Sequence, residues 1–116
     1  MPDEFNALEK AVLEWYAQHY GDPALIAQLR SASFRQRTWT KVGSYVALDV
    51  PGVLAPIDFS RIGTPGFPIN GPRIESEGIA HGGGSLLWGN NGYITQIELY
   101  AFGSFFKETI TDFVLA

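Results

Sequence analysis

The sequence predicts the α+β fold class: an N-terminal helical hairpin packed on an antiparallel β-sheet of about five to six strands, with a long Pro/Gly-rich loop. Apolar residues recur at helical spacing over residues 5–29 and alternate with a period of two from Phe34 onward. The tripeptide Asn90-Asn91-Gly92 separates two strand-like runs and is typical of a tight hairpin turn. Because the helices precede the strands instead of alternating with them, we expect the helical pair to cover one face of the sheet.

The composition is that of one globular domain, which we expect to span residues 1–116. Hydrophobic residues make up 46% of the chain and charged residues 17%, which excludes a disordered chain. Cysteine is absent, so disulfides, thiol catalysis and cysteine-based zinc sites are excluded. The formal net charge of −4 argues against a nucleic-acid partner, because binding to phosphates requires a positive surface.

Two further patterns bear on location. The N-terminus is acidic and amphipathic, unlike the basic and then apolar start of a signal peptide. No apolar run approaches the roughly 20 residues that a membrane span needs. We therefore expect a cytoplasmic protein with no membrane partner.

Capping residues define the two predicted helices. Asp3 is a suitable N-cap for a helix that runs to about Tyr20. Asp22 and Pro23 form the N-cap and first residue of a second helix, which ends near Ala32. The first helix carries an apolar stripe made of Phe5, Leu8, Val12, Trp15, Tyr16 and His19. The second helix carries Leu25, Ile26 and Leu29, and together the two helices predict a helical hairpin.

Two strands are predicted after the helices, over Phe34–Val42 and Ser44–Val50, with Gly43 between them. One face of the first strand carries the side chains of Arg35, Arg37, Trp39 and Lys41. These side chains give the strand a basic row on that face.

Residues 51–72 form the long Pro/Gly-rich loop. They contain five of the seven prolines, so a continuous helix or an interior strand is excluded. The segment is nevertheless apolar, with Phe59 and Phe67 among its large side chains. A free linker does not carry this much apolar surface. We therefore expect an ordered loop that packs either on the domain or on a partner.

The C-terminal half predicts four strands: Ile74–Glu77, Ser85–Gly89, Tyr93–Phe102 and Thr109–Leu115. Residues 80–84, with three successive glycines, are predicted to form a turn. Either two-residue turn, Asn90-Asn91 or Asn91-Gly92, places Leu86 and Trp88 on the face of Thr95, Ile97, Leu99 and Ala101, which is predicted to be the core face. Ile94, Gln96, Glu98, Tyr100 and Phe102 then point the other way.

Glu98 is the most informative carboxylate, because charge is disfavoured in the middle of a strand. Together with Gln96 and Tyr100 it could line a polar groove. The favoured alternative is a cross-strand ion pair with Arg35 or Arg37.

The two histidines offer little chemistry. His19 lies on the apolar stripe, so a packed side chain is favoured over a ligand. His81 lies in a loop near Glu75 and could act as a general base or as one metal ligand, but no second histidine has the spacing of a metal pair. The glycines beside it lack the lysine of a phosphate-binding loop. We predict no catalytic residues, no metal and no cofactor.

The C-terminal third carries His81-Gly-Gly-Gly-Ser-Leu-Leu-Trp88, then Gly92-Tyr-Ile, then Ile97-Glu-Leu-Tyr-Ala-Phe-Gly103. This pattern resembles the final hairpin of small bacterial proteins of unknown function. Some of those proteins are similar to immunity proteins of contact-dependent toxin systems. The resemblance implies a bacterial cytosolic domain and brings no catalytic residues with it.

Three functional hypotheses follow. The favoured one is a non-enzymatic protein-interaction module, immunity-like in its finer form, because the chain is small and acidic and carries an apolar loop. The alternative is a small-molecule-binding protein or an enzyme with a groove around Glu98 and His81, covered by residues 51–72. A homodimer is compatible with both. The candidate groove or interface residues are Gln96, Glu98, Tyr100, His81, Glu75, Arg35, Arg37, Phe59 and Phe67.

Overall fold

A computed structural model describes residues 4–107 and 110–116 of the chain. The helices within these residues are α1 (Ala7–His19), α2 (Pro23–Ser31) and the short α3 (Phe59–Ile62). The strands are β1 (Ser33–Trp39), β2 (Gly43–Asp49), β3 (Ile69–Asn70), β4 (Ile74–Ser76), β5 (Ile79–Asn90), β6 (Tyr93–Ala101) and β7 (Val114–Leu115). The predicted fold class is confirmed, since an N-terminal helix pair packs on an antiparallel sheet.

The helix starts follow from side-chain caps. Asp22 caps α2 as predicted, because its carboxylate accepts a hydrogen bond from the backbone N–H of Leu25. The first helix begins after Asn6, whereas the predicted cap, Asp3, lies outside the described residues. Asn6 and Glu9 form a reciprocal capping box. The backbone N–H of each residue donates to the side-chain oxygen of the other, in both cases at 2.9 Å. No helix among the described residues is long and apolar enough to cross a membrane.

The sheet has the strand order β1-β2-β6-β5-β4-β7, and β3 pairs with β5 beside β4. Strand β5 begins at Ile79, so the predicted turn over residues 80–84 is wrong. Glycine explains the difference: a Cβ on Gly83 would lie 2.2 Å from the carbonyl oxygen of Tyr100 on β6, so a side chain there would block the pairing. The predicted last strand is reduced to β7, and its predicted start, Thr109, lies outside the described residues.

One face of the sheet packs against α1 and α2. This face carries the fully or nearly fully buried side chains of Val46, Leu48, Leu87, Ile97 and Leu99. The helices contribute to the same core Leu8, Val12, Leu13, Tyr16, Leu25 and Leu29. Burial of these side chains is the main source of stability, at about 1.5–3 kcal/mol for each large aliphatic group.

The β5–β6 hairpin turns at Asn91-Gly92, where both residues have positive φ. Gly89 of β5 pairs with Ile94 of β6, but the residue before it, Trp88, pairs with Gln96. Thr95 is therefore an extra, unpaired residue on β6. This bulge reverses the faces of β5 relative to the prediction. Leu87, not Leu86 or Trp88, is therefore buried in the core.

The predicted placement of Leu86 and Trp88 on the core face, with Thr95, is thus wrong. They lie on the opposite face with Glu98, while Ile94, predicted to lie on that face, is almost completely buried. The prediction is confirmed for the strand beyond the bulge: its core positions are Ile97, Leu99 and Ala101.

Residues 51–72 contain α3 and β3 and contact the rest of the domain at several points. The backbone N–H of Ile57 donates to the carbonyl of Gly92 at 2.8 Å. The hydroxyl of Tyr93 donates to the carbonyl of Leu54 at 2.8 Å. Ile57 and Ile69 are buried in the core. These contacts fasten the segment to the hairpin turn and to the edge of β5.

The buried hydroxyl of Tyr16 donates to the carbonyl of Ile69 at 3.0 Å. Burial raises the pKa of Tyr16 far above its usual value of 10.0. A raised pKa of a phenol means that the unfolded chain loses its proton first, so stability is complete below pH 10 and falls as the pH rises above it.

The free energy of unfolding can be measured by urea titration at a series of pH values. We expect the ionisation of Tyr16 to lower it by up to about 1.4 kcal/mol for each pH unit above pH 10. In Tyr16→Phe this contribution should disappear, and the variant should also lose about 1 kcal/mol at pH 7 with its hydrogen bond. An unchanged slope between pH 10 and 11.5 in Tyr16→Phe would contradict this assignment.

Candidate functional site

The face of the sheet opposite the helices is partly solvent-exposed, and we call it the open face. We use the name for its eight residues on the three neighbouring strands: Tyr45 and Ala47 of β2, Leu86 and Trp88 of β5, Gln96, Glu98 and Tyr100 of β6, and Phe102 just beyond β6. None of these side chains is fully buried, and Tyr45 and Phe102 are about 39% and 40% exposed. Five of the eight are aromatic or large aliphatic, which is unusual for a surface in contact with water.

Glu98 lies at the centre of this face. Strand pairing sets it opposite Tyr45 on one side and opposite Leu86 on the other. The indole N–H of Trp88, on the diagonal, donates to its Oε1 at 3.0 Å. None of the salt bridges among the described residues includes Glu98. The carboxylate is thus held in one orientation by a neutral donor, without a countercharge from the described chain.

The predicted ion pair between Glu98 and Arg35 or Arg37 is wrong. Arg37 on β1 lies opposite Val46, a core residue of β2, so its side chain points to the helices. There its guanidinium donates to the two carboxylate oxygens of Glu9 at 2.6 and 2.7 Å. Hydrogen bonding to Glu9 raises the pKa of Arg37 above its usual value. A bulge between Phe34 and Gln36 interrupts the predicted basic row, and Arg35 lies 3.9 Å from Asp49.

Tyr100 owes its position on the open face to a glycine. A Cβ on Gly84 would lie 2.6 Å from the Tyr100 hydroxyl and 2.8 Å from the ring carbon that bears it. The ring therefore lies over strand β5 in the space that a side chain at position 84 would fill. Its other neighbour is Phe102, at 5.7 Å between ring centroids. Together these rings extend the apolar surface toward the end of the sheet.

The structure places His81 and Glu75 elsewhere. Together with Arg73 they line an open cleft of about 270 Å³ near the start of β5. The residues that line this cleft include neither Glu98 nor Gln96. Among the described residues, no three histidine, aspartate or glutamate side chains are grouped closely enough to hold a metal ion. The candidate residues of the sequence therefore divide between two separate surfaces.

The remaining candidates pack within the domain. Phe59 and Phe67 contact each other edge to face, with 5.0 Å between their ring centroids, and the Phe67 ring occupies the space beside Gly89.

His19 is exposed, contrary to the prediction of a packed side chain. Its ring stacks on that of Trp15, with 4.2 Å between the ring centroids.

Three open-face residues are not among the site residues predicted from the sequence: Tyr45, Leu86 and Trp88. Tyr45 could have been found, because it is out of phase with the buried Val46 on the same strand. Leu86 and Trp88 could not, because their exposure depends on the bulge at Thr95.

Comparison with known proteins adds no functional information. No protein-family model, no curated protein and no solved structure matches this chain.

Proposed function

We propose that this chain is a non-enzymatic protein-interaction module that binds its partner through the open face. The observation that carries the proposal is the fixed carboxylate of Glu98, surrounded by aromatic and aliphatic side chains on an exposed sheet surface. Protein interfaces are enriched in tyrosine, tryptophan and phenylalanine, and their energetic centres combine such rings with a few oriented polar groups.

The shape of the surface supports a protein partner over a small molecule. Small-molecule sites are concave and enclose most of their ligand. The eight side chains of the open face instead project from the three neighbouring strands β2, β6 and β5, and their rings are partly exposed. A broad surface of this kind suits a partner with its own extended surface.

The finer form of the proposal is an immunity-like role, in which the partner is a bacterial toxin. It is supported by the resemblance of the C-terminal hairpin, residues 81–103, to small bacterial proteins similar to immunity proteins. A second copy of this chain is a competing occupant of the same face. The identity of the bound partner distinguishes the two.

The test is a quantitative pull-down from the native cell with wild-type protein and with Tyr45→Arg, followed by binding measurements on the purified partner. We expect wild type to bind one partner whose affinity falls at least about 30-fold in Tyr45→Arg, because a ring directly opposite Glu98 is replaced by a charge. The matched control is Gln18→Arg, which adds the same charge on the exposed side of α1 and should bind as wild type does.

Folding of Tyr45→Arg is checked by its thermal transition, since a side chain about 39% exposed should tolerate the change. A purified partner that binds Tyr45→Arg as tightly as wild type would overturn the open face as the binding surface. A mass of twice 12.8 kDa by light scattering, lost in Tyr45→Arg, would identify the occupant as a second copy.

A further inference from the structure

We infer that the partner inserts a cationic side chain, arginine or lysine, against Glu98 between the rings of Tyr45 and Trp88. This inference rests on the proposed function and specifies the chemistry that the partner must bring. It follows from the charge balance of the open face, from the orientation of the carboxylate and from the residues on either side of it.

The charge balance of the open face favours a cationic partner. Glu98 is the one formally charged residue among the eight of the open face. At the rim of the sheet, Arg35 and Asp49 pair with each other at 3.9 Å and so provide no countercharge for it. A partner that covers this face removes water from the carboxylate. Burial of an ionised carboxylate without a countercharge is strongly unfavourable. A partner with a purely apolar surface would therefore bind poorly, whereas one with a cation would compensate the lost hydration.

The fixed orientation of the Glu98 carboxylate also favours a bound cation. The indole of Trp88 occupies one acceptor position of Oε1, and a carboxylate offers about four such positions on its two oxygens. The remaining positions stay accessible on a group that the indole has already fixed. Less conformational entropy is lost when a cation binds a carboxylate held in this way than when it binds a free surface side chain.

The aromatic neighbours of Glu98 also favour a cation. Tyr45 lies directly opposite Glu98, and Trp88, on the diagonal, presents its N–H edge to the carboxylate. A cation placed on the other side of the carboxylate therefore comes close to the ring of Tyr45, and the face of such a ring attracts positive charge. A metal ion would not use this arrangement, because hard cations prefer six or more oxygen ligands and Glu98 contributes only its own carboxylate.

The experiment titrates the ¹⁵N-labelled protein with the peptide acetyl-leucyl-arginyl-leucine amide and follows the indole N–H signal of Trp88 by NMR. Trp88→Phe assigns this signal among the three tryptophans. The neutral control is the same peptide with citrulline in place of arginine, which keeps the shape and loses the charge. A lysine peptide forms the third arm.

We expect the arginine peptide to bind saturably and at least about tenfold more tightly than the citrulline peptide, with affinity that falls as salt is added. Glu98→Gln should remove this difference, whereas Asp49→Asn, at the rim of the same sheet, should preserve it. If the arginine peptide binds more tightly than the lysine peptide, the partner's cation is a guanidinium. If the two bind equally, either cation fits the site.

Equal affinity for the arginine and citrulline peptides, or a shift that does not saturate, would overturn the inference. The failure of the inference can be distinguished from that of the proposed function. If the purified partner loses affinity for Tyr45→Arg but binds Glu98→Gln as tightly as wild type, the open face is the binding surface, and the inferred contact between a cation and Glu98 is wrong. If neither variant loses affinity, both proposals fail.

Discussion

Arg37→Met should destabilise the protein by about 3–5 kcal/mol, measured as the free energy of unfolding in urea at pH 7. The guanidinium of Arg37 donates to both carboxylate oxygens of Glu9. The Glu9 side chain is 0% exposed and that of Arg37 is 13% exposed. Removal of one partner of a buried ion pair leaves the other charge buried without compensation, which costs this much. Arg37 also packs against the rings of Phe34 and Trp39, and methionine retains part of that contact.

Arg35→Met is the matched control, two residues away on the same strand. Its ion pair with Asp49 is long, at 3.9 Å, and both side chains are more than half exposed. Such pairs contribute little, so we expect a change within about 0.5 kcal/mol. In the Arg37→Met background, Glu9→Gln should recover stability, because it removes the buried charge and keeps an oxygen for the Asn6 N–H. Equal effects of the two arginine substitutions would contradict the assignment.

Gln28→Met should cost about 2–4 kcal/mol in the same measurement. Gln28 is completely buried. Its amide nitrogen donates to the carbonyls of Ala55 at 2.9 Å and Gly92 at 3.0 Å, and its oxygen accepts from the N–H of Ile94 at 2.9 Å. One side chain of α2 thus joins the helix to the segment 51–72 and to the β5–β6 hairpin. Methionine fills a similar volume but leaves the N–H of Ile94 and the carbonyl of Ala55 without these partners, at about 1–3 kcal/mol for a buried group. The carbonyl of Gly92 keeps its hydrogen bond from the N–H of Ile57.

Gln18→Met, on the exposed side of α1, is the control and should change stability by less than about 0.5 kcal/mol. Hydrogen exchange provides a local readout. The amide of Ile94 should exchange faster in Gln28→Met than the overall loss of stability explains, because its own acceptor has been removed. If the amide of Ile94 remains as protected as its neighbours on β6, the three hydrogen bonds do not account for the loss.

The parts of the fold that depend on local sequence could be predicted. Asp22 and Pro23 specify the start of α2 because capping acts over only three residues. Asn91-Gly92 specifies the hairpin because few residue pairs adopt positive φ twice in succession. The alternation of Ile97 and Leu99 identified the core face of β6, since a strand keeps its period away from bulges.

The parts that depend on contacts distant in sequence could not be predicted. The partner of Arg37 is Glu9, 28 residues earlier and on a helix, so no local pattern distinguishes this arginine from Arg35. The extra residue at Thr95 is defined only by the pairing across the hairpin. As a result Glu98 was correctly placed away from the core, but the neighbours that make it a candidate site, Tyr45 and Trp88, were not recognised.

The bulge at Arg35 also bears on how this protein avoids aggregation. Strand β1 is an edge of the sheet, and an edge strand offers unpaired backbone groups to any other chain that meets it. The bulge interrupts the regular spacing of these groups, and the exposed charges of Arg35 and Asp49 flank it. At the opposite edge, β3 and β7 are only two residues long each. Both edges of the sheet therefore carry features that disfavour the strand-by-strand pairing between chains that leads to fibrils.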